Sequence, residues 1–312
     1  MPLYDLVKFK QSLINSLTVD PAVAELRSLR TRIANIKFQV DNLDDIHAEY
    51  LDQLVQQYDE VIELTLLPMT ELKTRIDIIE NEINDITHKL FAGNYELEER
   101  YGSIDHVRQN RLIRITADIE DNVKQRILLH TNWRYPALEI GCRDGEWTQF
   151  MVAADPLYVI DRHKEFITST LSRFPTAYQN RLRTYDLVDH DLSALPAEQF
   201  AFVFSWGYFN YVSMDTMRQY LRQLFMLLRP GGIFLFSYND GDTPSGAGMA
   251  ENFAQTYMPK KLLIALCESL GYTIVKEFDF TPTASWIEIQ KPGELKTVKA
   301  HQVLGKIVHK SN

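Results

Sequence analysis

Two kinds of apolar spacing divide the chain. Before residue 132 apolar side chains recur every three or four positions, and beyond 136 they come in short solid runs broken by glycine, proline and acids. The first spacing is that of helices with one buried stripe, and the second that of strands covered on both faces. Leu26, Leu29, Ile33, Ile36, Val40 and Leu43 step along one face, and Tyr50 and Leu54 continue it past His47. Pro68 interrupts the chain. Met69, Leu72, Ile76, Ile79, Ile83, Ile86 and Leu90 then keep unbroken three-four spacing, the pattern of a coiled-coil seam. Gly93 is expected to end that helix, and Gly102-Ser103 to open another from about 104 to 130 carrying Val107, Ile115, Ile119, Val123 and Ile127 on one side.

If continuous, residues 21–66 would form a rod of roughly 70 Å at 1.5 Å per residue, folded back at Leu67-Pro68 as an antiparallel hairpin. Phe38, Val61, Ile62, Leu64, Leu66 and Ile78 lie off the seam and leave apolar surface over. That surplus predicts an oligomerisation or docking arm; a closed intramolecular bundle is the competing arrangement. His47, His88 and His106 stand isolated, and no metal-ligand spacing is present in this region.

Pro136 opens the second region. Strands are expected at 137–140, 157–160, 182–186, 200–205 and 233–238, with helices at 145–154, 164–174, 214–228 and 259–270. Such alternation implies a parallel sheet covered on both faces. Tyr272–Phe280 and Ser285–Gln290 read as a terminal antiparallel pair. The resulting division is a helical arm over 1–132, an α/β domain over 133–291 and a basic tail over 292–312.

Composition narrows the function. Hydrophobic residues make up 45% and charged residues 24%, a soluble globular balance, and no apolar run is long enough to span a membrane. The first residues lack a basic region followed by an apolar core, and Cys142 and Cys267 are the only cysteines. A cytoplasmic location is therefore expected. Net charge is −9, with 15 Lys+Arg against 23 Asp+Glu in residues 1–132. That acidic balance disfavours nucleic acid as a partner, because phosphate binding needs clustered cations. The tail carries Lys296, Lys299, Lys306 and Lys310 beside Lys291 and reads as a solvated segment or as a dock for an acidic surface.

The chemistry concentrates at strand tips. Ala137-Leu138-Glu139-Ile140-Gly141-Cys142-Arg143-Asp144-Gly145 is an apolar run, an acid and two glycines four apart. Leu157-Tyr158-Val159-Ile160-Asp161 is a second strand closing on a carboxylate. Glycines let backbone approach a ligand, and an acid at the neighbouring tip suits ribose hydroxyls. Together they describe a nucleotide pocket.

These segments resemble a class I S-adenosylmethionine-dependent methyltransferase over about half the chain. Glu139–Gly145 resembles the family's first motif, Asp161 the acid after the second strand, and Asp191–Pro196 the acidic loop beside the adenine. Phe200–Ser205 resembles the fourth strand, and Leu227–Gly232 the turn before the fifth. The resemblance implies a Rossmann-like seven-stranded sheet of order 3-2-1-4-5-7-6 and S-adenosylmethionine as cofactor. It implies that Gly141 and Gly145 lie against the methionine moiety, that Glu139 orients its amino group, and that a helix starting after Gly145 favours its carboxylate. It also implies that Asp161 accepts from both ribose hydroxyls, that Asp191 faces the adenine amino group, and that Trp206 flanks the pocket. Two positions depart from the family: Arg143 stands at the middle glycine, and Ala201 replaces an acid early in the fourth strand.

No acceptor signature follows the fourth strand. Tyr208, Asn210 and Tyr211 could line an acceptor pocket or simply pack, and 239–250 reads as a lid or a plain connection. The expected function is a methyltransferase with a helical arm that makes a homo-oligomer or docks into a larger protein assembly. The alternative is a non-catalytic structural subunit, for instance of a viral particle, carrying a methyltransferase-like domain. A nicotinamide dehydrogenase fits the Pro230-Gly231-Gly232 turn poorly.

Overall fold

The computed structural model describes residues 3–16, 28, 31, 49, 52–57, 59, 60, 69–105, 117–280 and 284–295. The helices described in full before the sheet are α1 (Leu3–Ser16), α2 (Met69–Arg100) and α3 (Ala117–His130). Then follow β1 (Ala137–Ile140), β2 (Leu157–Asp161), α4 (Lys164–Ser172), α5 (Thr176–Gln179), β3 (Leu182–Asp186) and β4 (Phe200–Ser205). The chain continues through α6 (Met214–Leu227), β5 (Leu228–Tyr238), α7 (Pro244–Glu251), α8 (Lys260–Ser269), β6 (Thr273–Phe280) and β7 (Ala284–Gln290).

The seven strands form one sheet of order β3-β2-β1-β4-β5-β7-β6, as expected. β1 to β5 run parallel, and β7 runs antiparallel to both β5 and β6. Every residue of β1 and β4 is buried, which is why these strands read as solid apolar runs. Alternate side chains feed two layers. Leu138, Ile140, Val203, Phe234 and Phe236 pack with Tyr220, Leu221 and Leu224 of α6. Ala137, Val159, Phe202, Phe204 and Leu235 pack with Ile119, Val123 and Ile127 of α3. Phe200 joins the first layer despite its even number, because the ladder shifts register between Phe200 and Phe202.

Three expectations are corrected. Residues 145–154 do not form an α-helix: only Thr148–Phe150 closes, as a single 3-10 turn. Trp147, Thr148, Met151 and Ala154 are all buried, with Trp147 pressed between Phe150, Phe204 and Trp206. Packing at that spacing overrides the helical pattern. Gly93 does not end α2, which runs on to Arg100. The glycine is there for proximity: a Cβ would come 2.8 Å from the Phe253 ring. Finally, 239–250 is largely the helix α7, whose N-cap Thr243 accepts a hydrogen bond from Gly246 N.

The described part of the arm packs on the sheet domain. Leu3 and Leu90 are buried with Ala250 and Tyr257, and Ile83 and Ile86 of the expected seam pack against them. Leu3 N donates to Glu251 Oε1 at 2.7 Å, and Lys10 pairs with Glu80. Asn94, 1% exposed, binds the Tyr257 backbone twice: it accepts from Tyr257 N at 2.7 Å and donates to Tyr257 O at 2.9 Å. The expected turn at Leu67-Pro68, most of the rod over 21–66, the stretch 106–116 and the tail from 296 lie outside the described residues. No described helix is long and apolar enough to cross a membrane.

Candidate functional site

The tips of β1, β2 and β4 meet at one cleft of about 50 Å³, partly open to solvent. β1 ends in a left-handed residue, Gly141 (φ +73°), whose N–H donates to Ile160 O at 2.9 Å and binds the two tips together. Arg143 is also left-handed (φ +49°), a conformation that costs a non-glycine residue roughly 1 kcal/mol. Its backbone is held at both ends. Arg143 N donates to Asp161 Oδ2 at 3.0 Å, and Arg143 O accepts from Thr170 Oγ1 at 2.9 Å. His163 N donates to the other carboxylate oxygen, Asp161 Oδ1, at 3.0 Å.

Asp161 is therefore a buried carboxylate pinned by two backbone donors. Burial raises its pKa, against the opposing pull of those two hydrogen bonds. Each oxygen keeps one further acceptor position. Asp161, Gly141, Arg143 and Trp206 all line the cleft. Trp206 presents a buried indole Nε1 that has no hydrogen-bond partner.

The remaining sequence candidates lie elsewhere. Glu139 is not part of the cleft wall; its carboxylate accepts from Thr148 Oγ1. Burial raises its pKa to about 8. Gly145 (φ +74°) is likewise outside the wall and closes the turn, donating to Cys142 O at 2.8 Å. A Cβ there would press on Thr170 of α4 at 3.0 Å. Asp191 is solvent-exposed, and both its oxygens are taken by Ser193, from N at 2.8 Å and Oγ at 2.7 Å. Those bonds lower its pKa. Since no α-helix follows Gly145, no helix N-terminus faces the cleft from that loop.

Aromatic side chains close the cleft. Tyr208 packs on Gly141 so tightly that a Cβ there would lie 2.8 Å from its ring. Tyr211 also lines the cleft, whereas Asn210 is fully buried and bonded to Gln255 and Ser237. The wall that sequence reasoning missed comes from the arm. Tyr101, just past α2, stacks on Tyr211 with ring centroids 3.8 Å apart. One turn earlier Glu98 accepts from Ser213 N at 2.9 Å and pairs with His190 at 3.0 Å. His190 Nδ1 lies 3.0 Å from Tyr220 Oη, which in turn lies 2.8 Å from Tyr208 Oη. The relevant signal, Glu98 to Tyr101, is four unremarkable positions at the end of an acidic helix.

Residues 138–234 match a family model described as a methyltransferase domain. Over that span the chain is similar to methyltransferase domains. The matched span holds the cleft tips of β1, β2 and β4, and the sheet order is that of the family the first motif resembles. No curated protein matches the chain by sequence. Among solved structures, the chain is similar to an S-adenosylmethionine-dependent methyltransferase from Mesorhizobium loti, at 14% identity and TM-score 0.45, over 55% of this chain and 97% of that one. It is similar to the N-methyltransferase NodS from Bradyrhizobium japonicum in complex with S-adenosyl-L-homocysteine, at 17% identity and TM-score 0.46, over 64% and 98%. It is also similar to geranyl diphosphate C-methyltransferase from Streptomyces coelicolor A3(2), at 8% identity and TM-score 0.48, over 56% and 81%.

Proposed function

We propose that the protein transfers the methyl group of S-adenosylmethionine to an acceptor bound in the same cleft. The observation that carries this is Asp161, whose carboxylate is fixed by Arg143 N and His163 N at a cleft wall. The residues present fit the cofactor. Asp161 has acceptor capacity left for two ribose hydroxyls, and left-handed Gly141 brings backbone to the wall. Glu139 and Gly145 act on this reading by bracing the loop, through Thr148 and Thr170.

S-adenosylmethionine supplies an electrophilic methyl on a sulfonium, ready for direct displacement. The chain's task is to hold an acceptor in line with it and keep water out. Tyr101, Tyr211 and Phe166 furnish apolar walls for that, and a proton acceptor is needed only if the acceptor loses a proton. Calorimetry with S-adenosylhomocysteine tests the reading. Binding in about the micromolar range is expected, and absence of both heat and thermal shift would end it.

One observation favours the scaffold alternative: Tyr208 occupies the space directly over Gly141. On that reading the cleft binds no cofactor, and the same titration separates the two.

The arm serves the domain as a brace, since Asn94, Glu98 and Tyr101 all bond or stack onto it. Its apolar stripe over 21–66 is read further as an assembly surface in a cytoplasmic protein. Light scattering on the full chain should then give more than one subunit; a monomer at high concentration would end that part.

A further inference from the structure

We propose that the last turn of α2 is a latch: through Glu98 on His190 and Tyr101 on Tyr211 it holds Tyr208 over Gly141, and the cofactor enters only when that turn lets go. This rests on the methyltransferase reading and adds the regulation of that site.

The cleft measures about 50 Å³, room for a few waters. Pockets that bury a small organic ligand run to roughly 300–1,000 Å³. The missing space is filled by side chains. The Tyr208 ring lies against Gly141, where backbone would meet the cofactor, and the Tyr101–Tyr211 stack adds two more rings to the wall. An adenosyl group and these rings compete for one volume.

Tyr208 and Tyr211 sit in one short segment between left-handed Gly207 (φ +71°) and Ser213, the N-cap of α6. The end of α2 holds that segment at three places. Tyr101 stacks on Tyr211, and Glu98 accepts from Ser213 N at 2.9 Å. Glu98 also pairs with His190, whose Nδ1 lies 3.4 Å from Tyr208 Oη and 3.0 Å from Tyr220 Oη.

The backbone of the segment is fixed without help from the arm. Asn210 bonds to Gln255 and Ser237, and its carbonyl accepts from Thr256 N at 2.9 Å. Parting the last turn of α2 therefore frees the rings to rotate about their side-chain torsions and leaves the fold intact. The rest of α2 keeps its own anchors, Leu90 in the core and Asn94 on Tyr257. A helix end opens at far lower cost than its packed middle. A gate of this kind weakens apparent affinity by the fraction of molecules that stand open.

The test follows S-adenosylhomocysteine binding to the full chain as wild type, Glu98→Gln and Tyr101→Ala, each checked for folding by its thermal midpoint. Stopped-flow tryptophan fluorescence reads the rate, with Trp206 in the cleft wall as reporter, and calorimetry reads the affinity. Both variants should bind about tenfold tighter through faster association, as expected if about nine-tenths of wild-type molecules are shut. Hydrogen exchange gives a second reading on wild type alone. Saturation should speed exchange over 97–101 while the amides around Leu90 stay protected. Equal or weaker binding by both folded variants, or unchanged or slower exchange over 97–101 in the loaded wild type, would overturn the latch and leave the methyltransferase reading standing. Should neither variant fold, the exchange experiment decides. Absence of binding to wild type and to both variants would instead remove the methyltransferase reading, and the latch with it.

Discussion

Glu98 of α2 and His190 of the β3–β4 connection lie 3.0 Å apart, Oε1 to Nε2, and tie the helical arm to the sheet domain beside the cleft. With Nε2 occupied by Glu98, Nδ1 is left to the tyrosine hydroxyls, so one pair sets the orientation of Tyr220 and Tyr208.

That pair has an acid signature. Burial opposes the Glu98 charge, but hydrogen bonds from His190, Thr216 and Ser213 win and hold its pKa at about 2, below the ordinary 4.5. A depressed carboxylate contributes stability fully present above pH 4.5 and lost as pH falls through 2. Urea unfolding of wild type should therefore lose on the order of 1–3 kcal/mol more than Glu98→Gln across that window. Parallel pH profiles for the two proteins would contradict this.

Glu139 carries the opposite sign. Burial raises its pKa to about 8, with the Thr148 hydrogen bond opposing. Stability is then undiminished below the ordinary 4.5 and falls as pH rises through 8. Glu139→Gln should be near neutral at pH 5 and raise the thermal midpoint progressively towards pH 8.5. A stability gain independent of pH would refute the assignment.

Asp161→Ala removes the acceptor for two backbone donors. We expect a stability loss of about 1–3 kcal/mol and a fall of at least about tenfold in S-adenosylhomocysteine affinity. Denaturant titration and calorimetry read the two effects separately. Retained affinity would place the ribose elsewhere.

Asn94→Ala leaves the buried Tyr257 N and O without partners. The cost should be about 2–4 kcal/mol, and α2 should become a site of limited proteolysis. Unchanged protection of α2 would show that Leu90 and the Glu98–His190 pair suffice to dock it.

Much of the domain was legible because burial on both faces leaves a strong mark. β1 and β4 fall at their expected limits, since strands covered on both faces are apolar almost throughout, and β3 does so although only Leu182 of this edge strand is buried. Gly141, Asp161 and Trp206 were legible as cleft residues because tip positions follow from strand ends. Gly93 misled for a definite reason. A glycine in a helix interior reads as a stop, and its true cause, the Phe253 ring 160 residues further on, is invisible locally. The helix expected after Gly145 failed in the same way, through the burial of Trp147 and Met151 among distant partners.

What the amino-acid sequence determined alone was the set of strands and the chemistry of the two tips, because periodicity and turn residues act over a few positions; the strand order came with the family resemblance of the motifs. What only the tertiary structure decided was the company those tips keep. Tyr208 over Gly141, Tyr101 against Tyr211 and Glu98 on His190 each join residues far apart in the chain, and side-chain packing between distant elements leaves no periodic trace in either partner.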